Sequence, residues 1–415
     1  MSRSIQVAQQ WLPKVRSSLG RNHFTSQRAL AVEVGMAKAT VSKFFTGKPI
    51  SHLNFVEICE TLGFDWQEIS EVPFDEQYPS KDATNIYIER PPIEEKCYQE
   101  ILKPNSLIRI KAPKQMGKTL LAYELLDRVA EQGYRTVYLS FKAIDRSDCQ
   151  DLTQFLRQFC NTVSLELDLN NQLEKYWQNE IGSKSNCTTY FEKYLLTESN
   201  SPLVLCLDDV DLLFPYQEIA QEFLTLLRFW HERAKTRPIW TKLRLMVIHS
   251  TESYIPLEID RSPFNVGLPI ELPALTFDQV QDFTKQHGFD WDRDRINQLM
   301  AMLNGHPSLI EQALYHLKIN PNITLESLLK EAPTDTGIYS SNLQTILLEI
   351  QDHPKLKDAF SKVIASDEPI CLETVTSYKL HSMGLVKYQQ DKVEVSCNLY
   401  RLYFQVVFQI KSTFN

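Results

Sequence analysis

The stretch IKAPKQMGKTLL at 110–121 sets Gly117, Lys118 and Thr119 in a row, just after a short apolar run and at the start of an amphipathic one. These residue types in this order suit a phosphate chain. A glycine lets the backbone approach where a Cβ would collide. The lysine supplies a point charge for the β- and γ-phosphates, and the threonine hydroxyl is a ligand for Mg²⁺. A helix that opens here presents N–H groups with no intrahelical acceptor, and its dipole adds to their pull on an anion. The general pattern is G-x-x-x-x-G-K-[ST], and Ala112 stands in place of the first glycine. The candidate phosphate contacts are Pro113, Lys114, Gln115, Met116, Gly117, Lys118, Thr119 and Leu120, with Lys118 also serving catalysis. The tripeptide alone says little, since Gly47-Lys48-Pro49 carries the same Gly-Lys pair.

A second cluster strengthens the first. LVLCLDDVD at 203–211 is an apolar run that ends in acids. Asp208 at its end suits Mg²⁺, directly or through water, and Asp209 suits a base that polarises an attacking water. Asp211 is a second candidate for that role, though a solvated acid is the plainer reading. LRLMVIHS at 243–250 leads into Thr251, a polar residue able to lie beside a γ-phosphate. The ligands these residues imply are ATP and Mg²⁺.

The elements that must position these side chains are legible as alternating patterns. LIRIKA (107–112), TVYLSF (136–141), SPLVLCLDD (201–209) and LRLMVIHS (243–250) read as strands. GKTLLAYELLDRVAEQG (117–133) reads as a helix closed by Gly133, and EIAQEFLTLLRFWHERAK (218–235) as an amphipathic helix. Strands alternating with helices predict an α/β core with a mainly parallel sheet over 86–274. From 275 to 334 the pattern becomes helical, through DQVQDFTKQHG, RDRINQLMAML and PSLIEQALYHL, and predicts an all-helical lid. The stretch 335–415 adds helices and a closing hairpin, GLVKYQQDKVEVS (384–396), the pattern of a winged helix. Residues 71–85, EVPFDEQYPSKDATN, have two prolines and no apolar period, and read as a linker after an N-terminal domain over 1–70.

Composition sets limits. The chain has 415 residues, is 43% hydrophobic and 23% charged, and carries a net charge of −8, which excludes a mostly disordered chain and one that coats nucleic acid by bulk charge. Up to Ser70 eight basic residues face five acids, so the surplus of positive charge is local to that segment. None of the eight cysteines forms a Cys-x-x-Cys pair or sits near a histidine at zinc-finger spacing, so reduced thiols are expected. The N-terminus lacks the apolar stretch of a signal peptide, and no window is long and apolar enough to span a membrane. A cytoplasmic protein without membrane contact is expected.

The segments ERPPIEEKCYQEIL (89–102), IRIKAPKQMGKT (108–119), SPFNVGLPIELP (262–273), GHPSLIEQALYHL (305–317) and KLHSMGLV (379–386) together resemble the AAA-like ATPases common in cyanobacteria, in the STAND/AAA+ part of the P-loop NTPases. The resemblance covers about 85–405. It implies an α/β P-loop NTPase core, a helical lid and a C-terminal winged helix. It implies that Gly305-His306-Pro307 packs by the nucleotide and that Tyr87, Ile88, Glu89 and Arg90 cover the adenine. Many AAA+ ATPases have a Glu where Asp209 stands, so this chain is expected to hydrolyse slowly. Glu252 follows Thr251, so an arginine sensor there is not supported. Arg233 and Arg237 are candidate arginine fingers across a subunit interface, though a solvated helix end is the plainer reading.

Residues 26–66, SQRALAVEVGMAKATVSKFFTGKPISHLNFVEICETLGFDW, resemble the Cro/repressor class of helix-turn-helix domains, which implies a small all-α N-terminal domain. Gln27–Val34 would be the first helix and Ala37–Phe45 the recognition helix. Ala29, Val34, Val41, Phe44, Phe45, Leu53, Val56, Ile58 and Leu62 would make its core. Lys38, Thr40, Ser42 and Lys43 would face outward, with Lys43 and Lys48 on phosphate and Lys38 and Thr40 near base edges of double-stranded DNA. The helix lacks Arg, Asn and Gln, the usual base readers, so recruitment of a protein is an equal reading.

Three functions follow. The leading one is an ATP-dependent STAND/AAA+ switch whose nucleotide state, ATP or ADP, controls assembly of a homo-oligomer, triggered by a separate protein or effector. The others are a DNA-binding regulator or DNA-loading ATPase, and a non-catalytic nucleotide-binding scaffold.

Overall fold

A computed structural model of the chain describes residues 4–8, 11–12, 14–15, 18, 24, 26–34, 36, 38–48, 50–64, 69–71, 86–145, 147–178, 180–250 and 263–410. The chain divides between Asn85 and Ile86 into two compact units.

In the first unit, strand β1 (Ser4–Val7) pairs antiparallel with β2 (Ile50–Ser51) on one side and β3 (Ser70–Glu71) on the other. Helices Gln27–Glu33, Lys38–Thr46 and His52–Leu62 are among its described elements. The expectation of an all-α domain is therefore corrected. Pairings two residues long leave no periodic signal in a sequence. The expected linker also starts late, because Glu71 pairs with Gln6. The core is built from Val34, Val41, Phe44, Phe45, Ile58 and Leu62 as expected. Leu30, Ala31 and Phe55 are buried there too, while Ala29 is only half-buried.

The second unit is built on five parallel strands: β4 (Leu107–Lys111), β5 (Arg135–Ser140), β6 (Leu203–Asp208), β7 (Leu243–His249) and β8 (Leu268–Glu271), in the order β5-β6-β7-β4-β8. Every residue of β6 and β7 is buried, as expected of inner strands covered on both faces. One face packs on helices Ile93–Leu102 and Lys118–Ala130, through Ile108, Ile110, Leu121, Leu125 and Val129. The other packs on helices Leu152–Glu166, Ser183–Tyr190 and Gln217–Arg233, around Phe159, Phe191, Phe223 and the stacked pair Trp230 and Trp240.

Strand β8 is one edge of this sheet. It follows Gly267, which takes φ +71° where a Cβ would sit 2.1 Å from the Leu107 carbonyl oxygen. Only glycine lets the edge strand close against β4.

Beyond the sheet come helices Phe277–Gln286, Arg293–Leu303, Pro307–Ile319 and Leu325–Glu331, then Ser340–Gln351, Pro354–Ala365, Thr374–Ser382 and Asn398–Val407. The antiparallel pair β9 (Val386–Gln389) and β10 (Lys392–Val395) forms the hairpin. A single apolar cluster runs from Leu275 through Tyr339 and Phe360 to Phe404, so both helical stretches share one core. Thr276, Asp292 and Thr324 cap three of these helices through their side-chain oxygens. Among the described residues no helix is long and apolar enough to cross a membrane.

Candidate functional site

Parallel strands bring their C-terminal ends to one rim, and there the crossovers from β4 and β6 bring the two expected clusters together. The chain leaves β4 at Lys111 and turns through 112–117 into the helix Lys118–Ala130. Gly117 makes the turn possible with φ +89°, and no carboxylate lies in the first helical turn to compete for an anion. Ala112, which stands where the pattern has its first glycine, is fully buried in the apolar cluster under the sheet.

Lys118 is 7% exposed. Its Nζ donates to the carbonyls of Ala112 at 3.0 Å and Pro113 at 2.8 Å. Burial lowers its pKa to about 8, against the pull of Asp208, Asp211 and Asp209. Thr119 Oγ1 donates to Asp208 Oδ2 at 2.6 Å, so the expected metal pair is in contact. Asp208 is buried at the end of β6 and its pKa is raised by that burial and by Asp209, while the donors Thr119, Tyr138 and the Asp209 N–H pull it down.

Asp209 adopts φ +56°, which turns the chain away from the sheet. Its Oδ2 accepts Ser140 Oγ–H at 2.8 Å and its Oδ1 faces Lys142 Nζ at 3.3 Å. Asp211 does not simply face solvent. It is half-buried, and its Oδ1 accepts the Ser250 N–H at 3.0 Å, tying the turn after β6 to the end of β7. Its pKa is raised, first by burial.

Arg90 is 3% exposed and lies over the loop, donating from Nη2 to the Met116 carbonyl at 2.9 Å. Its Nε and Nη1 are buried without a partner, and both its terminal nitrogens lie within 3.6 Å of where a Gly117 Cβ would be. Glu94 holds the Arg90 backbone N–H at 2.7 Å. Tyr87 stands beside the guanidinium at 5.9 Å, whereas Ile88 joins the helical core with Leu275 and Val280. Met116 is buried, Leu120 is half-buried, and Lys114 and Gln115 are exposed.

His306 caps the helix Pro307–Ile319, its Nδ1 accepting the Leu309 N–H at 3.4 Å, with Pro307 at the first helical position. Burial, with Lys118 adding to it, lowers its pKa to about 4, so the ring is neutral with its proton on Nε2. Thr251 lies outside the described residues. Arg233 and Arg237 both pair with Glu192 of the same chain, each at 3.0 Å.

The loop is also held from a distance. Lys114 Nζ pairs with Glu349 at 3.3 Å, and Asn342 Nδ2 donates to Gln115 Oε1 at 3.0 Å, both partners coming from the helix Ser340–Gln351. Gly384 abuts Pro113, where an added Cβ would lie 3.4 Å from the proline Cβ.

These residues fit a nucleoside triphosphate with a divalent ion. The chain offers helix-start N–H groups, a buried ammonium, a buried guanidinium with two unpartnered nitrogens, and a Thr–Asp pair at hydrogen-bond distance.

In the first unit, Lys43 and Lys48 are exposed, while Thr40 and Ser42 are half-buried and face out only in part. The side chain of Lys38 lies outside the described residues. Sequence reasoning missed Tyr138, Ser140, Lys142, Asn342 and Glu349. For Tyr138 and Ser140 a signal existed, because a strand TVYLSF beside LVLCLDD in parallel register sets Ser140 level with Asp208.

Comparison with known proteins agrees with this geometry. The AAA-like domain family matches residues 75–406. The Walker-type ATPase of Pyrococcus abyssi is similar in structure at a TM-score of 0.54, with 12% identity over 77% of this chain and 96% of that one, a likeness of fold. The Aeropyrum pernix ORC2 protein is similar at 0.46, with 15% identity over 79% and 97%. A STAND protein with a tetratricopeptide repeat sensor from Pyrococcus horikoshii is similar at 0.36, with 18% identity over 78% and 43%. No curated protein sequence matches the chain.

Proposed function

The chain belongs to the AAA-like domain family, and we propose that it is an ATP-binding molecular switch of the STAND/AAA+ type that hydrolyses ATP slowly and assembles according to its nucleotide state. One observation carries the switch. The loop that would hold the phosphates is itself held by the C-terminal helices, through Lys114–Glu349 and Gln115–Asn342. A phosphate chain settling on Lys118 draws its ammonium off the Ala112 and Pro113 carbonyls, and the reshaped loop changes what the helix Ser340–Gln351 can grip.

Bound Mg²⁺ would neutralise charge on the phosphates, and Thr119 and Asp208 are the residues to hold it. Asp209 is the base in this reading. It is one methylene shorter than a glutamate, and Ser140 and Lys142 already occupy both its oxygens. A base so engaged gives slow turnover. Arg90 serves as a donor to the nucleotide through Nε and Nη1, His306 and Pro307 pack by the nucleotide, and Thr251 is the residue proposed to sense the γ-phosphate.

The N-terminal unit is the output arm, a helix-turn-helix that recruits DNA or a protein, and the hairpin with its flanking helices is a winged helix. A separate protein acts as the trigger. The DNA-binding reading draws on Lys43 and Lys48, exposed at the end of the helix Lys38–Thr46 and just past it.

The test is ATP hydrolysis and solution mass of the full chain, with and without double-stranded DNA, against Lys118→Ala. The switch predicts slow hydrolysis, a mass that changes with ATP, and loss of both in the variant. Hydrolysis that rises several-fold with DNA, in a salt-sensitive way, moves the assignment to a DNA-loading ATPase. Equal nucleotide affinity in Lys118→Ala and the unaltered chain would falsify the site.

A further inference from the structure

Tyr138 lies on β5, outside every nucleotide motif, yet it reaches the residue on which the metal reading depends. Its hydroxyl donates to Asp208 Oδ2 at 2.7 Å, the same oxygen that takes the Thr119 hydroxyl at 2.6 Å. Asp208 Oδ1 accepts the Asp209 N–H at 2.7 Å. An ionised carboxylate has about four lone-pair sites. Two donors from the chain therefore fill Oδ2 and one fills half of Oδ1, which leaves a single open site on Oδ1. The tyrosine ring is itself fixed, stacked on Tyr123 with centroids 4.6 Å and planes 29° apart. In the parallel register Tyr138 is level with Cys206, two residues short of Asp208, so its full length is needed to reach the carboxylate.

We infer that Tyr138 is a positioning residue for the divalent cation: it closes Oδ2 of Asp208 and presents the remaining lone pair on Oδ1 to the ion or to its bound water. The assignment rests on the nucleotide-and-magnesium reading above. Its logic is that of outer-shell partners generally. They fix the rotamer of a ligating group, and their loss typically lowers metal affinity about 10- to 100-fold. Without the phenol, Asp208 keeps Thr119 and the Asp209 N–H but loses one of the two donors on Oδ2, so the ion meets a carboxylate less tightly held.

Tyr138→Phe tests this, because it keeps the ring and the Tyr123 stack and deletes only the hydroxyl. Mn²⁺, read by electron paramagnetic resonance, is titrated into the full chain held in excess over ADP. Nucleotide affinity is measured separately in EDTA. The expected result is Mn²⁺ affinity weaker by about tenfold, with affinity for ADP in EDTA unchanged. Tyr123→Leu, which keeps the hydroxyl, should shift Mn²⁺ affinity by less than about threefold. Equal Mn²⁺ affinity in Tyr138→Phe and the unaltered chain overturns the assignment, as does an equal loss of ADP affinity in EDTA. Failure of the unaltered chain to bind ADP at all overturns the nucleotide reading, and this assignment falls with it.

Discussion

Lys118 is an ammonium kept out of water, and the cost shows in its pKa of about 8, lowered chiefly by burial. The carbonyls of Ala112 and Pro113 solvate it in part, and a phosphate chain does so better because it carries charge. The pH dependence has a definite sign. In the free protein the ammonium loses its proton as pH rises through about 8. A bound phosphate lifts that pKa again, so binding above pH 8 takes up a proton. Nucleotide affinity should therefore hold between pH 6.5 and 7.5 and fall by up to about tenfold per pH unit above pH 8. Lys118→Arg, whose guanidinium does not titrate there, should bind more weakly but without that slope. A fluorescent ATP titrated from pH 6.5 to 9.5 reads both, and a flat profile in the unaltered chain would show an ordinary lysine. Asp208 has the opposite problem, a buried carboxylate raised by its surroundings. A raised carboxyl stabilises the fold only while protonated, and that contribution is lost as pH rises through its folded pKa. Asp208→Asn removes that burdened charge and should leave the melting temperature at neutral pH no lower than that of the unaltered chain, while abolishing the effect of Mg²⁺ on nucleotide affinity. A lower melting temperature would mean the hydrogen bonds from Thr119 and Tyr138 outweigh the burial.

At the scale of elements, the helix Pro307–Ile319 shows how much a turn has to supply. Asn304 at φ +49° ends the preceding helix, Gly305 at φ +71° reverses the chain, and His306 caps the next. A Cβ on Gly305 would lie 2.1 Å from the Leu275 carbonyl oxygen, and that backbone has nowhere to go because Leu275 N–H donates to Gly305 O at 2.8 Å. Gly305→Ala should cost about 3 kcal/mol or more. Gly288→Ala, with φ +90° but nothing within 4 Å, should cost only about 1 kcal/mol, for the backbone alone. Thermal unfolding of the pair separates collision from conformation, and equal losses would remove the collision from the argument. The elements that were legible in the sequence are those with length and period. The runs LVLCLDD and LRLMVIHS, and the helices that open at Lys118, Gln217 and Arg293, stand within a residue or two of their expected places. Strand β8, LPIE, was illegible because it is four residues long, holds Pro269 and lies at an edge. The stretch 183–195, SKSNCTTYFEKYL, was equally opaque. Its helix turns to π-form at Phe191–Leu195, and its buried face includes Asn186 and Thr188. Those polar groups are held by the Gln178 backbone and Trp230 Nε1, partners that no periodicity reveals.

For the second unit as a whole, the consequential contacts join residues far apart in the chain. Lys114 and Glu349 are 235 residues apart, and Gln115 and Asn342 are 227 apart. A motif can name the phosphate loop, but no spacing rule says which later helix will lie on it, so the Lys118–Thr119–Asp208 group was readable and the hold of the helix Ser340–Gln351 on Lys114 and Gln115 was not. The grip is modest by design. Lys114–Glu349 is an exposed pair, of the kind worth about 0–1 kcal/mol, and one neutral side-chain hydrogen bond adds about 1 kcal/mol. Contacts of that size can be overcome by a phosphate chain, which is what a reversible switch requires, whereas the apolar cluster behind them stays intact. The double variant Asn342→Ala, Glu349→Ala removes both contacts and touches neither Lys118 nor Asp208. Nucleotide should still bind, but its release should quicken by about five- to tenfold, and limited proteolysis within the segment 333–353 should no longer depend on nucleotide. Stopped-flow release of a fluorescent ADP reads the first and cleavage mapping the second. Raising salt in the unaltered chain should reproduce part of the effect, because only the Lys114–Glu349 pair is screened. Release rates and cleavage that match the unaltered chain would mean the helix rests on the loop without sensing it, and the C-terminal region would then have to learn the nucleotide state through the neutral His306 turn.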